Sequence, residues 1–452
     1  MIPSRALKLF LAALTIRWTY AALLYLAMGD VALKQVDSVA YIEGATMFAA
    51  AVADHSLTGW QWLAWNAYVM PLFAWTLSLN ILTFGALGPL AFVLMQGALD
   101  AATCVVVYAT ARALDERYAV PAAAAAALNP TQIVISGIVF TDTLFTFFVA
   151  LFLYATMRWM ATLSWRWALT IGAAVGAAAL SRPVGALWMP VLCLAMLLFV
   201  MAYRRLSMRL VAQVAGAGAI MALCIAPVLW RNVSVYGSWA LTPQGGPHLA
   251  RWIVPLVMEA RDRIPWMRAS EEMERRTRER FGPLPNNPFE QSQQYSEVGR
   301  EQLATLGFPA LLKSWSIGAL INLGSPAIIL SPPILLIPRT GYYATPGRSM
   351  FDKIGNFLFH SESAVYSWAL LLGIAGVAVM RVLQLVGLAA LLRRREHWPP
   401  LALFGLWIAF VLAVNGPIAT PKYRLPIEPP LMVMTGAGLY TLSRWRHGAK
   451  PA

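Results

Sequence analysis

Charge is scarce in this chain. Only 12% of its 452 residues are Asp, Glu, Lys or Arg, while 59% are hydrophobic and the mean hydropathy is +0.60. Soluble cores of ordinary size cannot hide so much apolar side chain, so a water-soluble globular protein is excluded. Cysteine is scarcer still. Cys104, Cys193 and Cys224 all fall within apolar stretches, which leaves no disulfide framework and no metal-ligand spacing, and they are expected to be packing residues. No GxxxxGK[ST] or GxGxxG loop is present, which removes the support for ATP-driven transport and for dinucleotide chemistry. His55, His248, His360 and His397 are isolated and no carboxylates share a ligand spacing, so neither a metal nor another cofactor is expected.

What the chain has instead is long apolar runs. Stretches able to cross the roughly 30 Å hydrocarbon layer with about 20 residues each recur at 9–28, 89–110, 121–140, 143–160, 168–179, 186–203, 210–230, 364–392, 401–415 and 430–442. The expected fold is therefore all-α and polytopic, with about ten spans and twelve as the upper bound. The first stretch is too long for a signal peptide and lacks a small-residue cleavage site, so it is read as retained. The net charge of +14 is distributed over alternate connections: Arg5 and Lys8, Arg112 and Arg117, Arg158 and Arg166, Arg204, Arg205 and Arg209, Arg393 to Arg395, then Arg444, Arg446 and Lys450. That is the positive-inside pattern with both termini cytoplasmic. Cations scattered over membrane-flanking loops do not suit nucleic acid; the lipid bilayer is the expected partner. Parity also constrains 311–337, which must cross twice or not at all, and Pro326, Pro332, Pro333 and Pro338 favour a re-entrant or interfacial element.

With this topology, polar material on the non-cytoplasmic side is concentrated at 29–83 and 231–363, so function is expected there. The working division is one membrane domain, 1–445, followed by a short tail, 446–452. Trp60, Trp62, Trp65 and Trp75 suit interfacial anchoring better than a sugar site. The stretch 269–281 reads as a charged, solvated helix followed by a loop.

Asp37, about nine residues beyond the first span, opens a VDSVAY segment in which either Asp37 or Ser38 is suited to cap a helix, with Tyr41 on the same face as Asp37. Asp142, between two apolar spans, must be solvated or paired; a helix cap is its plainer role. Asp100 lies deeper and is a candidate partner for Arg17 of the first span. Five cations stand at outer membrane ends where the positive-inside rule disfavours them: Arg182, Arg231, Arg251, Lys422 and Arg424. Together they suit a phosphate or pyrophosphate at the lipid boundary, and individually they suit snorkelling to headgroups.

Four segments, VDSVAY (36–41), FTDTLFTFF (140–148), APVLWRNVSVYGSWALTPQGGPHL (226–249) and PKYRLPIEPPL (421–431), with SRPVG (181–185), resemble the GT-C class of integral-membrane glycosyltransferases. The resemblance is to glycosyltransferase family 39, in the bacterial branch near the protein mannosyltransferases and the aminoarabinose and galacturonic acid transferases, and it spans roughly 5–445. It implies a GT-C-like fold with interfacial helices in the outer loops and a polyprenyl-phosphate-linked sugar donor. An acceptor glycan, lipid or protein would attack with inversion on the periplasmic face of a bacterial inner membrane. By position, Asp37 would be the general base. Arg424, Lys422, Arg231, Arg182 and Arg251 would bind donor phosphate, and Tyr41, Asp142, His248 and Tyr423 would line the sugar or acceptor pocket. The chain departs from the family pattern at Ser38, where many relatives carry a second acidic residue, and at LWRN, where a Pro-Trp order is usual. Two other readings share the composition: a lipid-linked-sugar flippase or transporter, and a polyprenyl-pyrophosphate oligosaccharide ligase or polymerase.

Overall fold

A computed structural model describes residues 4–339, 341, 345–347 and 350–446; beyond its first residue the expected tail, 446–452, lies outside them. Among the described residues, twenty α-helices run in chain order. They are α1 (Ser4–Met28), α2 (Val36–Ala53), α3 (Pro71–Phe84), α4 (Gly88–Leu114), α5 (Glu116–Ala127), α6 (Pro130–Ser136), α7 (Asp142–Thr162), α8 (Trp165–Ser181), α9 (Val184–Tyr203) and α10 (Met208–Tyr236). There follow α11 (Gly245–His248), α12 (Val254–Asp262), α13 (Trp266–Phe281), α14 (Pro288–Leu306), α15 (Phe308–Gly324), α16 (Pro332–Leu335), α17 (Met350–Phe359), α18 (Ala364–Leu392), α19 (Trp398–Asn415) and α20 (Glu428–Arg446). No strand occurs among the described residues, so the fold is an all-α polytopic membrane protein.

Among the described residues, seven helical segments are long and apolar enough to cross a membrane, or up to nine if each of two bent pairs counts as one span. The sequence reading expected ten. Part of the difference lies in α8, only 17 residues long, and in α20, whose 19 residues include charged Glu428 and Arg444. The stretch 121–140 is not the single helix expected: α5 and α6 meet at a 48° bend. Pro130 lacks an N–H and disfavours helical geometry at the residue before it, so the chain breaks there and restarts with Asn129 Oδ1 accepting the Thr131 N–H at 2.8 Å. No continuous helix fills 311–337 either; α15 bends 104° from α14 and is followed only by short turns, as the prolines require.

The core is held by aromatic and small residues in alternation. Trp188 and Trp407 meet at 5.0 Å between ring centroids and Phe152 and Trp407 at 5.1 Å, joining α7, α9 and α19. Where α18 and α20 cross, a Cβ on Gly387 would fall 1.8 Å from the Met434 carbonyl oxygen and one on Gly438 2.0 Å from that of Leu383. Backbones approach this closely only through glycine, the usual device where no water drives helices together. Arg17 and Asp100, both about 1% exposed, pair at 2.7 Å, and Arg17 also donates to the Ala126 and Ala127 carbonyls freed at the α5–α6 break. The pairing expected from the sequence thus ties α1, α4 and α5 together.

The bundle has two distinct ends. Ala6 of α1 packs with Tyr108 of α4, so the start of α1, the end of α4 and the arginines at 112, 117, 204 and 393–395 share one end. Asp37, following α1, lies at the other. There the long region 231–363 builds its own helical layer around Val254, Val257, Met273 and Tyr295. Its charged helix α13 is laced by pairs such as Arg276–Glu272 at 2.7 Å and Arg280–Glu301 at 2.5 Å.

Candidate functional site

The site is assembled from the entry to α2, the start of α7, the end of α8 and the connection between α19 and α20. Ser38, fully buried, accepts the Gln35 N–H at 3.1 Å and donates to the Val139 carbonyl at 2.9 Å. Because Ser38 fixes this turn, Asp37 does not cap it, and its side chain stays 49% exposed. Asp37 Oδ2 accepts instead from Lys422 Nζ at 2.8 Å, across 385 positions of sequence.

Lys422 owes its position to the 3-10 segment Pro421–Ile427. Thr420 caps that turn by accepting the Lys422 N–H at 3.3 Å, and Asn322 of α15 holds both the Thr420 N–H and the Ile418 carbonyl. Gly318 of α15 has the Gly416 carbonyl oxygen where a Cβ would stand, at 2.4 Å. The element that the sequence reading marked out only by its prolines and apolar character is therefore the clamp that sets Lys422. The ammonium sits over the rings of Phe140 at 4.8 Å and Tyr423 at 5.4 Å. Burial pushes its pKa down, but Tyr423, Asp142 and Asp37 together hold it above the ordinary lysine value.

A second ion pair stands beside the first. Asp142, only 3% exposed, accepts from Arg182, and the Arg182 guanidinium lies 5.9 Å from the ring centres of both Phe145 and Tyr423. Asp142 is thus at the start of α7, as a cap would be, but its bond is to Arg182. Tyr41 packs edge-on against Phe73 at 5.0 Å. Burial, with Asp37 and Asp142 nearby, pushes its phenol up to about 12. His248 of α11 feels the same group: surrounding protein, Arg182 and Lys422 hold its imidazolium below the usual value against the opposing pull of Asp37. Asp37, Tyr41, Asp142, Arg182, Lys422, Tyr423 and His248 therefore converge.

Of the five outer cations, Arg182 and Lys422 are in this group and the other three are not. Arg424, 2% exposed, faces away from Asp37. It donates to Glu428 at 2.6 Å, to Thr131 at 2.7 Å and to the Asn322, Leu323 and Ser325 carbonyls. Glu428 in turn accepts from Asn129 at 2.9 Å. At three residues per turn, the 3-10 segment Pro421–Ile427 points Lys422 and Arg424 about 120° apart, which a reading of PKYRL as one cationic motif misses. Arg231 is buried against Asn232 at 2.9 Å, with Nη2 unpartnered, and Arg251 is exposed in the long-region layer near Tyr295. Sequence reasoning also gave no role to Phe140, Glu428 or Arg381. The Arg424–Glu428 spacing of four was the available signal for Glu428. Arg381, inside α18, lines a cavity of about 340 Å3 with Arg424 and the apolar residues Pro326, Ile328, Leu372 and Met380. No group of three or more His, Cys, Asp or Glu suited to a metal occurs among the described residues.

The architecture is similar to that of solved integral-membrane glycosyltransferases of the GT-C class. The family model for dolichyl-phosphate-mannose-protein mannosyltransferase matches residues 69–230. Among solved structures, the apo Archaeoglobus fulgidus oligosaccharyltransferase is similar with a TM-score of 0.52 at 16% identity, covering 97% of this chain and 51% of that one. The Archaeoglobus fulgidus oligosaccharyltransferase AglB, in complex with an inhibitory peptide and a dolichol-phosphate, gives 0.51 at 14% identity, covering 98% and 52%. ArnT from Cupriavidus metallidurans gives 0.39 at 15%, covering 97% and 77%. This chain spans about half the length of the oligosaccharyltransferases it matches. No curated protein sequence matches it.

Proposed function

We propose that this protein is an inverting glycosyltransferase that moves a sugar from a polyprenyl phosphate to an acceptor glycan, lipid or protein, with Asp37 as the base. The observation that carries the reading is the exposed Asp37 carboxylate held against Lys422 beside the buried Asp142–Arg182 pair. An acceptor hydroxyl or amine approaching the free side of Asp37 would attack the anomeric carbon opposite the phosphate. The new bond forms as the bond from that carbon to the phosphate oxygen breaks, its electron pair leaves on the polyprenyl phosphate, and the acceptor proton passes to Asp37. Lys422, with three N–H donors, can bridge Asp37 and the departing phosphate. Arg182 uses one terminal nitrogen on Asp142, leaving the rest of its planar fork for phosphate oxygens. These two cations replace Arg424 in that role, because its donors are occupied. The first isoprene units would lie along Phe145, Val184, Val411 and Val414, which line a groove together with Asp142 and Arg182.

Support for a lipid-phosphate donor comes from AglB, whose similar fold is seen with a dolichol-phosphate. The Asp37 end of the bundle faces the periplasm of a bacterial inner membrane, with both termini cytoplasmic. The similarity to oligosaccharyltransferases gives specific weight to a second reading, transfer of an oligosaccharide from a polyprenyl pyrophosphate. The test is transfer from a panel of polyprenyl-phosphate and polyprenyl-pyrophosphate sugars by purified protein. Asp37→Asn is expected to lower turnover by at least about 100-fold, the lower end of the range for a general base, with thermal unfolding unchanged. Wild-type turnover in that variant removes Asp37 as base, and activity confined to pyrophosphate donors selects the second reading.

A further inference from the structure

At the end of the bundle opposite Asp37, a narrow cleft of about 40 Å3 opens between α5, α18 and α20. The glycosyl-transfer reading leaves it without a role. Four arginines from three separate stretches of sequence line it: Arg117 of α5, Arg393 and Arg394 just after α18, and Arg444 of α20, with Tyr440 and Trp445 beside them. The positive-inside rule accounts for arginines at this end but not for their meeting at one cleft. Arg112, at the same end, shows the ordinary arrangement, exposed and paired with Glu116 at 2.6 Å.

The charges around the cleft do not balance. Asp115 accepts from Arg117 at 2.6 Å and from Arg394 at 3.4 Å, and Glu396, 71% exposed, lies 3.8 Å from Arg394. Among the described residues no carboxylate pairs with Arg393 or Arg444. Four arginines against two carboxylates leave a formal excess of two positive charges, and both fall on these two side chains. They stand on different helices, Arg393 exposed and Arg444 half-buried, and both reach the cleft. Arg117, by contrast, is engaged by Asp115 and by Tyr440, whose ring it covers at 5.3 Å.

Guanidinium groups gathered at one place repel one another, and a ligand with two negative charges relieves that repulsion. The cleft has room for only about three waters, too few to enclose a nucleotide, so the ligand lies across its mouth. An apolar track leads away from that mouth. Ala389, Val386, Val382 and Val379 follow Arg393 along one face of α18 at spacings of four and three, and Val379 and Val382 are 60% and 58% exposed. We propose that the cleft binds a phospholipid with two phosphodiesters, of the cardiolipin type. Arg393 and Arg394 donate to one phosphate, Arg444 donates to the other, and an acyl chain runs along the α18 track. The track is what favours a lipid over a free anion, and the two unmatched arginines are what favour two phosphates over one. Basic pockets between membrane helices are a general way to hold such headgroups.

Native mass spectrometry of the full-length protein in detergent tests this, with cardiolipin, phosphatidylglycerol and inorganic pyrophosphate added separately and in competition. Cardiolipin is expected to be retained about 10-fold better than phosphatidylglycerol, the effect of one further charge-assisted hydrogen bond. Arg393→Gln and Arg444→Gln, which leave every ion pair described around the cleft in place, should each bring cardiolipin down to the phosphatidylglycerol level with thermal unfolding unchanged. Arg112→Gln, which removes a charge from the same end but outside the cleft, should keep the preference. Equal retention of the two lipids by wild type overturns the proposal, as does an undiminished preference in both cleft variants or an equal loss in Arg112→Gln. Displacement of cardiolipin by pyrophosphate at equal concentration overturns the lipid assignment.

Discussion

Asp37 and Asp142 are both carboxylates held by a cation at the same end of the bundle, yet their surroundings divide their work. Asp37 is half exposed and free to meet a second molecule, whereas Asp142 is buried and bound to Arg182. Ser38 explains why no second acid stands beside Asp37. Its hydroxyl faces the Val139 carbonyl from a fully buried position, so a carboxylate there would set one acceptor against another without water. Ser38→Asp is accordingly expected to cost about 3–5 kcal/mol, as an uncompensated buried charge does, read as a fall in thermal unfolding temperature in detergent. Tyr41 gives a pH signature. Its phenol ionises only near 12 in the folded protein but near 10 when unfolded. A group with a raised folded pKa contributes stability that is complete below the unfolded value and lost as pH climbs through the folded one. Wild type should therefore lose stability between about pH 10 and 12 more steeply than Tyr41→Phe, in thermal unfolding scanned against pH; parallel curves would show that the phenol is not buried as described.

At the scale of elements, the connection 416–427 decides what the site can do, because it sends Lys422 to Asp37 and Arg424 to the seam of α6, α15 and α20. Arg424 satisfies carbonyls at the end of α15 while neutralising Glu428, so it acts as a structural rivet. Arg424→Ala would leave Glu428 buried and short of its cation, with an expected loss of about 3–5 kcal/mol. The protein should become hard to extract folded, and Arg424→Lys should rescue it only in part, since one ammonium cannot replace the planar fork. A variant with normal unfolding temperature and no transfer would instead return Arg424 to the donor phosphate. The same connection marks how far the sequence could be read. Hydropathy runs located the spans, and the resemblance picked out Asp37, Asp142, Arg182 and Lys422, because transmembrane length and isolated charge are local properties. Which way Arg424 points depends on Asn322, Thr131 and Glu428, brought to it by packing, and no local pattern carries that. The break at Pro130 was visible as a residue but concealed by the apolar run around it. The clamp by α15 rests on Gly318 and Asn322, unremarkable until their neighbours are known.

At the scale of the whole molecule, the two ends of the bundle differ in kind. One end holds the short arginine-bearing connections, and the other holds the ion-paired site beneath the layer built from 231–363. A lipid-linked donor fits this polarity, since its phosphate would sit at the boundary while its tail remains among the helices. Orientation then becomes the prediction on which the glycosyl-transfer reading depends, because the positive-inside rule places the arginine end in the cytoplasm and the Asp37 end outside. Labelling can read it directly. Cys104 is buried and Cys193 and Cys224 are half-buried within helices, so the native thiols give little background, whereas Ser56 near Asp37's helix and Arg205 between α9 and α10 are exposed. In sealed right-side-out membrane vesicles, Ser56→Cys should react with a membrane-impermeant maleimide at once and Arg205→Cys only after lysis. The reverse order would put Asp37 and Lys422 on the cytoplasmic side, where a periplasmic acceptor could not reach them.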